Sequence, residues 1–123
     1  MKGAKPHMQV ARDALTAVPR VPGWLSEEAR AEWRRIMPLL VERRILTDSD
    51  LAMVEAYCVA IGRVRALERA IQKADEIDAG MIRLQDKLIQ TARQLAAELG
   101  LTPVSRSRPT MRESADNDSP LDL

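Results

Sequence analysis

Apolar residues recur at helical spacing through the middle of the chain, and nowhere do they alternate as the residues of a half-buried strand would. Ala29, Trp33, Ile36, Met37 and Leu40 fall three or four positions apart and define one face of a helix. Ser26 is a good N-cap for it, and Glu27 and Glu28 place negative charge at the positive end of the helix dipole. The spacing predicts a helix over 27–44. Pro38 lies within it, and a mid-helix proline costs about 3 kcal/mol and removes a backbone hydrogen bond, so a kink or a short break is expected there.

Thr47-Asp48-Ser49-Asp50 carries the next start signal, with Asp50 where a capping box wants an acid. The helix that follows is predicted over 48–77, on a stripe of Leu51, Val54, Cys58 and Ile61, joined by Tyr57, Val64, Leu67, Ile71, Ala74 and Ile77. At 1.5 Å per residue it would be a rod about 45 Å long. Gly62 inside it costs roughly 1 kcal/mol and is expected to mark the close approach of another helix. Asp78-Ala79-Gly80 reads as a turn, with Gly80 free to take positive φ. A third helix is predicted over 81–99, where Met81, Leu84, Leu88, Ala92, Leu95 and Leu99 form a coiled-coil-like seam. Gly100 ends it, with Pro103 shortly after. The fold class expected is all-α: a long antiparallel helical hairpin with a preceding shorter helix, together a helical domain over 24–104.

The two ends read differently. Residues 1–23 form a basic, partly flexible arm in which Lys2, Lys5, Arg12 and Arg20 face one acid, Asp13, with Pro6, Pro19, Pro22 and Gly23 as punctuation. A weak rhythm over 8–18 allows a short helix before Pro19. From Ser105 the periodicity is lost. Arg106, Arg108 and Arg112 precede Glu113, Asp116, Asp118 and Asp122, so 105–123 is expected to be a disordered tail.

Composition sharpens this picture. Phe is absent and Trp24, Trp33 and Tyr57 are the only aromatic residues, so the core must be built from Leu, Ile, Val, Met and Ala. Such residues suit narrow helix–helix seams. The leucine-lined faces of the two long rods exceed what one copy can hide. Oligomerisation through helix faces is therefore expected, with Leu51, Val54, Ile61, Leu84, Leu88 and Leu95 at the interface. Trp24 and Trp33 are assigned to packing rather than base stacking.

Candidate chemistry is sparse. The single histidine, His7, lies in the arm, and with the single cysteine, Cys58, it cannot build a standard zinc site. Cys58 sits in an apolar stripe and reads as an inert core thiol compatible with a reducing cytoplasm. There is neither a GxxxxGK[ST] nor a GxGxxG phosphate loop. Asp48, Asp50, Glu55, Glu68, Asp75, Glu76, Asp78 and Asp86 alternate with Arg and Lys as solvated helix faces do. The expectation is a non-enzymatic chain with no catalytic residues, cofactor or metal. No apolar run approaches the roughly 20 residues that span a bilayer, and no signal-peptide pattern opens the sequence, so a soluble, unsecreted protein with no membrane partner is expected.

Net charge is only +1, but the 19 basic residues include four lysines (2, 5, 73 and 87), which leaves 15 arginines. Arginine suits carboxylate-paired interfaces and phosphate contact alike. Trp33 through Tyr57 is broadly a helix-turn-helix, although its turn, Arg44-Ile45-Leu46-Thr47, lacks glycine and its second helix is long for a recognition helix. Candidate DNA-binding residues are first Lys2, Lys5, Arg12 and Arg20 of the arm, then Arg30, Arg34, Arg35, Arg43 and Arg44. Arg43 and Arg44 also suit the negative end of a helix dipole.

Three stretches carry a family resemblance. They are Pro22-Gly23-Trp24-Leu25-Ser26-Glu27-Glu28-Ala29 followed by Glu32-Trp33-Arg34-Arg35-Ile36, then Leu46-Thr47-Asp48 with Asp50 leading to Glu55-Ala56-Tyr57-Cys58, and last Leu95-Ala96-Ala97-Glu98-Leu99-Gly100-Leu101-Thr102-Pro103 with Ser105-Arg106. In this order the chain resembles the small terminase subunits of tailed bacteriophages. The resemblance implies a DNA-packaging adaptor in the host bacterial cytoplasm that forms a ring-like homo-oligomer. Its implied partners are double-stranded viral DNA and the large terminase subunit, which carries ATPase and nuclease. Many relatives have a polar insertion between the second and third long helices, which Asp78-Ala79-Gly80 replaces here. Read from the residues alone, a helix-turn-helix transcriptional regulator and a coiled-coil scaffold without DNA binding stay open as alternatives.

Overall fold

A computed structural model of the chain describes residues 13–102. Lys2, Lys5 and Arg12 of the arm, residues 8–12 of the weak rhythm over 8–18, and the tail from 105 lie outside the described residues, and 13–18 form no helix. Within them the chain is all-helical: α1 (Glu27–Glu42), α2 (Leu51–Lys73) and α3 (Ala79–Glu98), with one turn of 3-10 helix (Asp48–Asp50) leading into α2 and no strand.

The start of α1 follows from Ser26, whose extended backbone lets its Oγ accept the Ala29 N–H at 3.2 Å. Ala29, Trp33, Ile36, Met37, Leu40 and Val41 are buried along one face. Of the kink or short break expected at Pro38, the break does not occur: the helix runs through the proline. The Pro38 ring is exposed, and the neighbouring Met37, Leu40 and Val41 are buried on the opposite side. Burying side chains of this size stabilises by roughly 1.5–3 kcal/mol each, which outweighs one missing hydrogen bond. α1 stops at Glu42, two residues short of the expected 44, because Arg44 turns into the left-handed region at φ 60°.

α2 packs against both other helices and is the spine of the fold. Asp50 prepares its entry by accepting the Thr47 backbone N–H at 2.8 Å, the back-reaching half of a capping box. Val54, Tyr57, Cys58, Ala60 and Gly62 are buried. Burial pushes the Cys58 thiol up to about 12, as suits a packing residue. Gly62 marks a close helix approach: a Cβ there would stand 3.0 Å from the Ala29 backbone nitrogen and 3.1 Å from Ser26 Oγ.

α2 ends at Lys73, four residues before the predicted 77, and Ala74 is extended while Ile77 is 87% exposed. The reason lies in Asp78. Its side chain accepts the Met81 N–H at 3.1 Å and caps α3 from an extended backbone, so the chain must leave α2 before reaching it. Gly80 accordingly sits in the first turn of α3, which begins at Ala79, and among the described glycines only Gly100 takes positive φ. There Gly100 and Leu101 donate to the carbonyls of Ala97 (3.1 Å) and Ala96 (2.8 Å), a Schellman ending.

The segment before α1 folds back on the helices. Leu15 N–H donates to the Leu46 carbonyl at 2.8 Å, and Trp33 Nε1 donates to the Pro19 carbonyl at 3.4 Å. Trp33 is buried as expected, but Trp24 is 65% exposed, against its assignment to packing. The turn that closes from Pro22 to Leu25 sends Leu25 inward, and its chain neighbour then faces out.

Gly62→Ala tests the close approach. The atoms that its Cβ meets include backbone, which does not yield, so the substitution is expected to cost about 1–3 kcal/mol despite alanine's better helix propensity, read as a lower urea midpoint at unchanged slope.

Candidate nucleic-acid interface

One acid occupies a position on α1 that the apolar pattern would give to a hydrophobe. Glu32 stands three residues after Ala29 and four before Ile36, on the buried face, and its side chain is 0% exposed. A buried carboxylate survives only with full pairing. Arg35, one turn on, donates to it through Nε at 3.0 Å and through Nη2. From α2, Tyr57 donates its hydroxyl to Oε2 at 2.7 Å and Arg65 Nη2 donates to Oε1 at 3.2 Å. Burial alone would raise the Glu32 pKa. The hydrogen bonds from Arg35 and Tyr57, with the charges of Arg35 and Arg65, outweigh it and hold the carboxyl below its ordinary value. Burial, then the bond to Glu32, pushes the Tyr57 hydroxyl up to about 12, so it stays a neutral donor.

The two arginines turn outward from this anchor, with side chains 62% (Arg35) and 46% (Arg65) exposed. The seam between α1 and α2 continues with an exposed ion pair between Arg69 and Glu28. Arg65 and Arg69 were not among the sequence candidates. The signal that would have found them is Glu32 itself, an acid at an apolar-face position that needs cations from elsewhere.

The arginines that the sequence did single out fall into two groups. Three are engaged inside the chain. Arg30 donates to the carbonyls of Leu25 (3.1 Å) and Gly23 (2.6 Å), Arg35 binds Glu32, and Arg43 donates to the Gly100 carbonyl at 2.6 Å. Arg20, Arg34 and Arg44 are exposed. Arg44 holds φ 60°, a conformation that costs a side-chain-bearing residue about 1 kcal/mol and that glycine would take freely.

The start of α2 is poorly equipped to read bases. Its exposed residues there are Ala52 and Ala56, with Asp48, Asp50 and Glu55 alongside and no basic side chain before Arg63. Of the residues expected at an oligomer interface, Val54 is 0% exposed within this one chain and has no surface to offer a second copy, which corrects that assignment. Its position on α2 turns it into the core. Leu51, Ile61, Leu88 and Leu95 are half-buried and Leu84 is 50% exposed. A shallow, mainly apolar groove lined by Tyr57, Ile61, Val64, Ile89, Ala92 and Ala96, with Arg93 as its one charged residue, runs between α2 and α3. Among the described residues, no group of three or more His, Cys, Asp or Glu is placed to hold a metal ion, and no helix is long and apolar enough to cross a membrane.

The described residues thus define an all-α protein whose helix seam displays carboxylate-anchored arginines. The family model for the phage terminase small subunit matches residues 29–116, well over half of the chain, and the chain belongs to that family. No curated protein and no solved structure matches it.

Two outcomes are expected. Because the Glu32 carboxyl titrates lower in the folded chain than in the unfolded one, the network stabilises fully above the ordinary value of 4.5 and loses its contribution as pH falls through the lower folded value. Glu32→Gln should therefore cost about 1–3 kcal/mol at neutral pH and flatten the loss of stability in acid, followed by thermal unfolding across pH. Arg44→Gly relieves the left-handed arginine and should stabilise by about 0.5–1 kcal/mol in the same assay.

Proposed function

We propose that this chain is a DNA-packaging adaptor, a small terminase subunit that binds double-stranded viral DNA and recruits or regulates the large ATPase and nuclease subunit in the host bacterial cytoplasm. Family membership over residues 29–116 carries this reading. In it, α2 and α3 form a long antiparallel hairpin, and Leu84 with the exposed parts of the half-buried Leu51, Ile61, Leu88 and Leu95 packs between copies to close a ring. The exposed Leu84, and the apolar groove that Ile89 lines, support such packing, since apolar surface of this kind favours burial against a second copy.

DNA contact in this proposal belongs to the exposed Arg20, Arg34, Arg35 and Arg44, together with Lys2, Lys5 and Arg12 of the arm 1–23. The tail 105–123 docks the large subunit. The acidic, arginine-free start of α2 favours backbone contact over a sequence-reading helix, so the transcriptional-regulator alternative is not carried further.

Native mass spectrometry is expected to show an assembly of many subunits, and Leu84→Arg is expected to shift it towards smaller species. Binding to double-stranded DNA should weaken steeply with salt. A compact, well-folded monomer at high concentration would sink the adaptor reading, and an assembly indifferent to DNA at low salt would leave a scaffold in its place.

A further inference from the structure

We infer that Arg35 and Arg65 form a preset clamp for a backbone phosphate of DNA, with the buried Glu32 as its positioning residue. The inference rests on the DNA-binding reading above and names where on the helices one contact is made. Three observations carry it. The guanidiniums come from different helices and settle on the two oxygens of one carboxylate, Arg35 bonding both and Arg65 bonding Oε1 at 3.2 Å. The anion that gathers them is wholly hidden, whereas they are 62% and 46% exposed, so both cations reach the surface while the carboxylate between them does not. Each guanidinium has five N–H donors, of which Arg35 spends two and Arg65 one on Glu32, so three and four remain beyond that carboxylate.

An oxyanion with several acceptor oxygens matches that arrangement, and arginine forks bind phosphate with defined geometry. A mobile surface arginine must lose rotamer entropy when it grips a ligand, and Glu32 has already restrained both side chains. The third arginine of the seam, Arg69, is matched one-to-one by the partly exposed Glu28 and so lacks the same excess.

The test is salt-titrated binding of the full chain to a short random-sequence duplex. Arg35→Gln and Arg65→Gln are each expected to lower the slope of log K against log salt by about 0.9, as loss of one phosphate contact does. Arg65→Lys, which keeps the charge and is the milder change, is expected to keep the slope while weakening binding. Arg83→Gln on α3 should change neither quantity.

Glu32→Gln separates positioning from charge. It adds a positive unit, so charge alone would tighten binding, whereas a clamp that has lost its anchor binds several-fold more weakly. Inorganic phosphate at millimolar concentration and constant ionic strength should not displace the duplex. If it does, the site belongs to the free ion and the DNA clamp is overturned. Parent-like slopes in both glutamine variants, or tighter binding by Glu32→Gln, overturn the clamp while DNA binding stands. A parent protein with no salt-dependent binding takes both down.

Discussion

A carboxylate that has left water must be matched donor for donor, and the junction of α1 with α2 is arranged around that demand. Glu32 lies on the face of α1 that otherwise carries Ala29, Trp33, Ile36 and Leu40, so it enters the helix interface because its helix does. Once there, it needs Tyr57 and Arg65 from α2 as well as Arg35 from its own helix. Hydrophobic contacts tolerate a small slide between helices, but hydrogen bonds of 2.7–3.2 Å do not. The charged network thus specifies how α1 seats on α2, while the surrounding apolar burial supplies most of the favourable free energy.

The same seating depends on an absence of side chain. Gly62 lets the first turn of α1 come within van der Waals range of the α2 backbone, beside Ser26, the residue that caps α1. Capping, close approach and the Glu32 pairing therefore share one short stretch of interface. They are coupled: the cap places the first turn, the glycine admits it, and the network at the next turn holds it in register.

The abundance of arginine gains a physical reading from this arrangement. Arg30 and Arg43 tie helix ends to loop carbonyls, Arg69 pairs with Glu28, and Arg35 and Arg65 hold a buried acid while facing solvent. Lysine would serve poorly in these roles, because one ammonium cannot offer the spread of donors that lets a guanidinium hold a protein group and still present N–H bonds outward. Membership of the phage terminase small-subunit family places this surface in a DNA-packaging context.

Local sequence determined much of the fold. Ser26, Asp50, Asp78 and Gly100 mark helix ends through bonds to atoms within a few residues, and the three apolar stripes follow from a period that any helix imposes. Gly62 was legible as a point of close approach because glycine has little other use inside a long helix. Where two local signals competed, only the folded chain decided. Pro38 argued for a break and the buried residues around it for continuity, and burial prevailed. Asp78 served the next helix and thereby ended α2 early, leaving Ile77 in solvent. The pairing of Glu32 with Tyr57 and Arg65, the interior position of Val54 and the outward turn of Trp24 were likewise decided in three dimensions. Each depends on which residues of separate elements meet, and helical periodicity specifies a face without specifying its partner.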